Sequence, residues 1–253
     1  MTEDKELEGR VAIITGAGRN IGRAIALDLA RAGAAVIVNV RSNEQEAEEV
    51  AARIQGAGGR AAIVLGDVAH PDTGEKLARA AKNKFGRIDI LVNNAALRRE
   101  TALEDMSFEE WREITGTILD GAFRCTKAAL PELKKSGSGT IVNIGGMSGH
   151  VGAKHRAHVI TAKSGLIGLT KALAHELADY GINVNCVVPG MIDTPAGKPA
   201  SGPRPQHYQF AQPLNGRKGT VEELSGMVRY LCGPKARYIT GQALHVNGGA
   251  YMG

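Results

Sequence analysis

Short apolar runs alternate with longer amphipathic segments from one end of the chain to the other. Val11–Thr15 is an apolar run that ends in a glycine turn, which predicts a buried strand. Ile21–Ala32 follows helical spacing and stops at Gly33. The alternation continues with a strand at Val36–Val40, a charged helix at Glu44–Gln55, a strand at Ala61–Leu65, a helix at Thr73–Phe85 and a strand at Ile88–Val92. A long helix over about Phe108–Lys134 leads to a strand at Thr140–Ile144, and another over about His158–Tyr180 leads to a strand at Asn183–Val187. A helix at Val221–Leu231 and a strand at Ala243–Val246 close the series. The strand runs are apolar on both faces, as a parallel sheet covered by helices on each side requires. The pattern predicts one α/β domain over residues 1–253, a doubly wound parallel sheet with helices on both faces.

The pattern fails over 195–219, which holds five of the nine prolines and no regular period. A loop this long is expected to be a lid over a site. Composition agrees with an aliphatic sheet and many tight turns: 43% of residues are hydrophobic, 33 are glycine and only 4% are aromatic. Cys125, Cys186 and Cys232 lack metal or redox spacing and read as buried thiols of a cytoplasmic protein. The polar start Met1–Arg10 is unlike a signal peptide, and no run of about 18 apolar residues exists to span a membrane. A net charge of +5 without a basic stripe argues against nucleic acid as a partner. It suits a phosphorylated small molecule better.

Thr15-Gly16-Ala17-Gly18-Arg19-Asn20-Ile21-Gly22 stands between the first predicted strand and helix. Glycines there let backbone approach a pyrophosphate, whose charge the helix N-terminus favours, so Gly16, Gly18, Arg19, Asn20, Ile21 and Gly22 are candidate cofactor contacts. The second strand ends in Asn39-Val40-Arg41-Ser42, without the acidic residue that would bind a ribose 2′-hydroxyl. Arg19 and Arg41 suit a 2′-phosphate, so NADP(H) is expected in preference to NAD(H), with Ser42 beside it.

These residues resemble the short-chain dehydrogenase/reductase family, close to the ketoacyl-carrier-protein reductases, and the likeness covers nearly the whole chain. The family turn reads Thr-Gly-x-x-x-Gly-x-Gly, with Asn20 here in place of the middle glycine, a residue that tolerates left-handed backbone. Asp67 and Val68 match the adenine contact, and Asn93-Asn94-Ala95-Ala96 matches Asn-Asn-Ala-Gly. Pro189-Gly190-Met191-Ile192-Asp193-Thr194 matches the segment flanking the nicotinamide, and Asn247-Gly248-Gly249 resembles the Asp-Gly-Gly near the C-terminus. The resemblance therefore implies a Rossmann-type fold, and adds Asn94, Ala95, Lys163, Pro189, Gly190, Ile192 and Thr194 to the cofactor contacts. It also implies a homo-oligomer, a tetramer assembled through the two long helices.

The family's chemistry uses a Tyr, a Lys four residues later, a Ser on the fifth-strand loop and an Asn in the preceding helix. Only Lys163 is present in this chain: Val159, Gly146 and Ile118 occupy the other three positions. Valine has no proton to give, so carbonyl reduction by the usual Ser/Tyr machinery is not expected. His155, His158 and Ser148 are candidate replacements, and Tyr208 in the predicted lid is another. Against them, Lys154-His155-Arg156 reads as a solvated basic loop. The remaining histidines lack metal-ligand spacing, so no metal is expected. Three functions stay open: an oxidoreductase with a non-standard proton donor, a cofactor-binding pseudoenzyme or regulatory subunit, and a non-redox lyase or hydrolase on the same fold. The small-molecule substrate is not legible.

Overall fold

A computed structural model of the chain describes residues 5–194 and 212–253. Most of the predicted lid, with its Lys198, Arg204, His207 and Tyr208, lies outside the described residues. Seven parallel strands form one sheet in the order β3-β2-β1-β4-β5-β6-β7. They are β1 Val11–Ile14, β2 Ala35–Val40, β3 Arg60–Leu65, β4 Ile90–Asn93, β5 Thr140–Ile144, β6 Asn183–Pro189 and β7 Ala243–Val246. Their runs of Val, Ile and Ala are buried on both faces in β1, β2, β4 and β5, because helices cover both sides.

On one side α1 (Asn20–Arg31), α2 (Glu44–Gly56) and α8 (Val221–Cys232) pack Ile25, Leu29, Val50, Leu224 and Val228 onto the sheet. On the other, α3 (Thr73–Phe85), α5 (Gly121–Ser136) and α7 (Ala157–Glu176) contribute Leu77, Cys125, Leu133 and Ala174. The sheet changes winding direction between β1 and β4, so a crevice opens beyond their carboxyl ends, the expected ligand position in such folds.

The structure departs from the sequence pattern at the site. The predicted helix over Phe108–Lys134 is α4 (Phe108–Thr115) joined to α5 by a π-turn at Gly116–Asp120, which carries Ile118. Hydrophobic spacing cannot reveal such a turn, since it adds one residue without breaking the apolar face; π-turns cluster at functional sites. A short helix, α6 (Ser148–Val151), follows β5 where only a loop was expected. The helix predicted to reach Tyr180 ends at Glu176 and is followed by a 3₁₀ turn at Ala178–Tyr180. All three cysteines are buried free thiols, and no helix among the described residues is long and apolar enough to cross a membrane.

Candidate active site

The glycine turn lies between β1 and α1 at the switch point. Gly16 has φ +63° and Asn20 has φ +49°, so the asparagine takes the left-handed backbone that glycine would otherwise supply. The turn is also packed too closely for larger residues: a Cβ on Gly22 would come within 2.2 Å of the Gly16 carbonyl oxygen. Asn94 fixes the turn from β4, donating through Nδ2 to the carbonyls of Thr15 at 2.9 Å and Gly16 at 3.0 Å. The backbone N–H groups of Asn94 and Ala95 both donate to Thr15 Oγ1 at 3.0 Å.

Whether a dinucleotide phosphate suits this turn can be judged from the helix behind it. α2, α4 and α8 are capped by the side chains of Asn43, Ser107 and Thr220, and each has acidic residues in its first turn. Unlike these three, α1 has no side-chain cap and no acidic residue in its first turn, a condition it shares with α7 but combines with the glycine turn before it. Its first backbone N–H groups and positive dipole end are left to an anion, so the residues fit a pyrophosphate.

Around this seat, Asp67 follows β3 and accepts from the Ala69 N–H at 2.9 Å, and Val68 is buried against Gly121. Arg19, Arg41 and Ser42 are exposed at the mouth, with Arg41 Nη1 3.9 Å from Glu113 Oε1. One neighbour was not foreseen: Glu46 of α2 reaches back to the turn, and its Oε2 would lie 3.0 Å from a Cβ on Gly18. Helical spacing places Glu46 on α2 but says nothing of which way its flexible side chain turns.

At the carboxyl end of β6, Pro189 and Gly190 line a cavity together with Asn94, Gly146, Ser148, Val159 and Lys163. Ile192 forms a bridge with Gly219, and Asp193 N donates to Gly219 O at 2.7 Å, so the far end of the predicted lid is tied to this segment. Thr194 is partly buried.

Lys163 is buried and donates through Nζ to the Ile144 carbonyl oxygen at 2.5 Å. Burial lowers its pKa from 10.5 to about 8, aided by the positive charges of Arg98 and Arg156. Val159, one helical turn earlier, lines the same cavity and packs with Ile114, Ile118, Ala122 and Leu166. The family's Tyr and Asn positions are thus parts of one apolar cluster, 3% and 2% exposed. Gly145 and Gly146 differ in room. A Cβ on Gly145 would strike Cys186 Sγ at 2.8 Å, whereas on Gly146 its nearest neighbour would be Lys163 Cγ at 3.7 Å.

The candidate replacement donors do not come together. Ser148 lines the cavity. His158 is fully buried, its Nδ1 accepting from the Val159 N–H at 2.9 Å and its Nε2 3.0 Å from Glu110 Oε1, so both ring nitrogens are used in holding helix α7. His155 is exposed in left-handed backbone at φ +59° and is not among the residues lining the cavity. The expected solvated basic loop is corrected at Arg156, which is only 7% exposed and lines the cavity, as Arg98 also does. The chain holds two short basic clusters, Arg98-Arg99 and Lys154-His155-Arg156, but nothing in their spacing brings them to one place; the fold does so by joining their loops, with Thr101 N donating to His155 O at 2.8 Å.

A parallel doubly wound sheet, a glycine turn at its switch point and a lysine-bearing helix beside the Pro-Gly segment define a dinucleotide-binding oxidoreductase fold. A family profile described as "Enoyl-(Acyl carrier protein) reductase" matches residues 16–251. The chain is 41% identical over 248 residues to a 3-oxoacyl-[acyl-carrier-protein] reductase of Synechocystis, covering 97% of this chain and 98% of that one. It is also 41% identical over 246 residues to the corresponding reductase of Vibrio cholerae, covering 97% and 99%. A short-chain dehydrogenase of Burkholderia cenocepacia, solved in complex with NADP, superposes with a TM-score of 0.89 at 31% identity, covering 97% of this chain and 99% of that one. The chain belongs to the short-chain dehydrogenase/reductase family, near the ketoacyl-carrier-protein reductases.

Proposed function

We propose that the chain is an NADP(H)-dependent oxidoreductase in which Lys163, not a side chain at position 159, serves the reacting oxygen. The observation that carries this reading is an intact nucleotide cradle beside a cavity whose one retained catalytic side chain is a buried lysine of pKa about 8. The uncapped α1 N-terminus would hold the pyrophosphate, Asp67 and Val68 the adenine, Arg19 and Arg41 the 2′-phosphate, and Asn94, Pro189 and Gly190 the nicotinamide side. When bound, the nicotinamide supplies or takes up a hydride.

The protein's own part is to place a proton. With valine at 159, the described residues that line the cavity include no phenol beside Lys163. An ammonium of pKa about 8 is mostly protonated at neutral pH and is acidic enough to donate from Nζ to an oxygen that has gained charge. Proton transfer of this kind contributes about 10²–10⁴-fold. Stopped-flow mixing of the protein and NADPH with a panel of carbonyl compounds should show loss of the reduced-nicotinamide absorbance. The rate of carbonyl reduction should fall as pH rises through about 8, where Lys163 loses its proton.

Complete absence of hydride transfer while NADPH binds tightly would favour a second reading, a cofactor-binding protein without turnover. The close apolar packing of Val159 and Ile118 supports that alternative. The family likeness and the exposed Phe123 of α5 and Gly168 of α7 are consistent with assembly into a homotetramer through these helices.

The cofactor preference is tested separately. Arg41→Ala should weaken NADPH about 10- to 100-fold by fluorescence titration and leave NADH nearly unchanged, since a charge-assisted contact to the 2′-phosphate is lost. An equal effect on both cofactors would remove Arg41 from the 2′ site.

A further inference from the structure

We infer that the cavity beside Lys163 is a binding site for a small carboxylate, held by Arg98 and Arg156. The inference rests on the reading that this cavity receives the substrate of a nicotinamide-dependent oxidoreductase, and it names the class: an oxo or hydroxy acid that presents its carboxylate to the two guanidinium groups.

Three cations, Arg98, Arg156 and Lys163, line the cavity, and among the described residues that line it there is no carboxylate. Outside the lining, Glu100 Oε1 lies 4.0 Å from Arg156 Nε, with a side chain 30% exposed. Among the described residues that line the cavity, the charge is therefore all positive. The walls between them include the apolar Leu97, Ile144, Met147 and Val159, so the charges of the buried Arg156 and Lys163 are weakly screened. Both arginines add to the burial that pushes the Lys163 pKa down, which places each of them within electrostatic reach of Lys163. An anion bound among them would relieve that repulsion.

The shape of the cavity points the same way. Gly145 and Gly146 form a floor without side chains, and Gly146 leaves space for an atom beside Lys163 Cγ. Arg156 sits immediately before α7, and its loop is fixed to the loop after Arg98 by the Thr101–His155 hydrogen bond. Two guanidinium groups so held can grip a carboxylate bidentately. Such a grip orients the adjoining carbonyl, a contribution independent of a general acid. Phosphate groups of the cofactor have their own seat at the Gly16–Gly22 turn.

The test is a titration of the protein with malonate and with its neutral twin malonamide, by calorimetry on the free protein and by fluorescence on the NADPH-loaded protein. Malonate should bind in both cases, and malonamide should not at the same concentrations. Arg98→Met and Arg156→Lys should each weaken malonate by about tenfold or more, because a bidentate contact is lost, with NADPH affinity changed by no more than about twofold. Arg98 is exposed, so its variant should fold normally even if the change at buried Arg156 disturbs the loop. Equal binding of malonate and malonamide, or malonate affinity unchanged in Arg98→Met, would overturn the inference. Failure of the wild-type protein to bind NADPH would count against the proposed function instead, and the titration of the free protein would still decide the carboxylate site.

Discussion

Val159→Tyr combined with Gly146→Ser is expected to raise NADPH-dependent reduction of simple ketones by about 10²-fold over the wild-type chain. Position 159 lies one helical turn before Lys163, so the two side chains share a face of α7. A tyrosine there would leave the Ile114–Ile118–Leu166 cluster and extend its ring into the cavity that Val159 already lines. The adjacent Lys163 ammonium would then lower the phenol's pKa, as an opposite charge stabilises the phenolate. Serine at 146 meets nothing closer than 3.7 Å at its Cβ, and its hydroxyl would stand near Lys163 and Ser148 to hold a carbonyl oxygen. A general acid is worth about 10²–10⁴-fold and an oxyanion donor about 10²–10³-fold, but such groups act as a unit and their effects do not multiply. Each single variant should therefore show much less than the pair. Gly145→Ser is the contrasting control: its Cβ would collide with Cys186 Sγ at 2.8 Å, so it should lower stability and give no activity. A double variant that folds, binds NADPH and gains nothing on a broad ketone panel would sink the claim that Lys163 is still set for the chemistry.

Why the sheet was legible and the site was not follows from which interactions each depends on. Strand runs such as Ala35–Val40 and Thr140–Ile144 are mostly apolar and buried at every position because both faces are covered, and that is a local property of the sequence. The glycine turn was legible for a similar reason, since Gly16 and Gly22 are fixed by backbone geometry and by contacts within one strand–turn–helix unit. The losses at Val159, Gly146 and Ile118 could be counted in sequence, but not their consequence, that 159 and 118 would close into one cluster through a π-turn. The roles of the basic residues were the least accessible. Arg156 and His158 are two residues apart, yet one lines the cavity and the other is sealed against Glu110. That outcome is decided by α4 and by the loop after β4, which lie far away in sequence.

Lys163→Met should stabilise the fold at pH 7 by up to about 3 kcal/mol while abolishing turnover. Burial holds the native Lys163 pKa at about 8, against 10.5 when exposed. A difference of that size corresponds to about 3 kcal/mol at about 1.4 kcal/mol per unit. The sign follows from proton counts. Below pH 8 the lysine is charged in both states, and the native state bears the full cost of burying the charge. Between pH 8 and 10.5 the unfolded chain retains the proton that the native state has released, so wild-type stability rises with pH across that window. The advantage of methionine, an apolar side chain of similar length, should accordingly be largest at neutral pH and fade as pH approaches 10.5. The same change removes the Nζ donor at the floor of the cavity, so NADPH affinity should fall about tenfold or more, as expected for a lost charge-assisted contact. Opposite effects on stability and on function would mark Lys163 as retained for its task, since only a few tens of per cent of a typical fold's about 5–15 kcal/mol is sacrificed to keep it. Denaturant midpoints of the two proteins measured from pH 7 to pH 10.5 decide the matter: a methionine variant no more stable at pH 7, or one whose advantage does not shrink on the alkaline side, would show that the ammonium is not strained in its place.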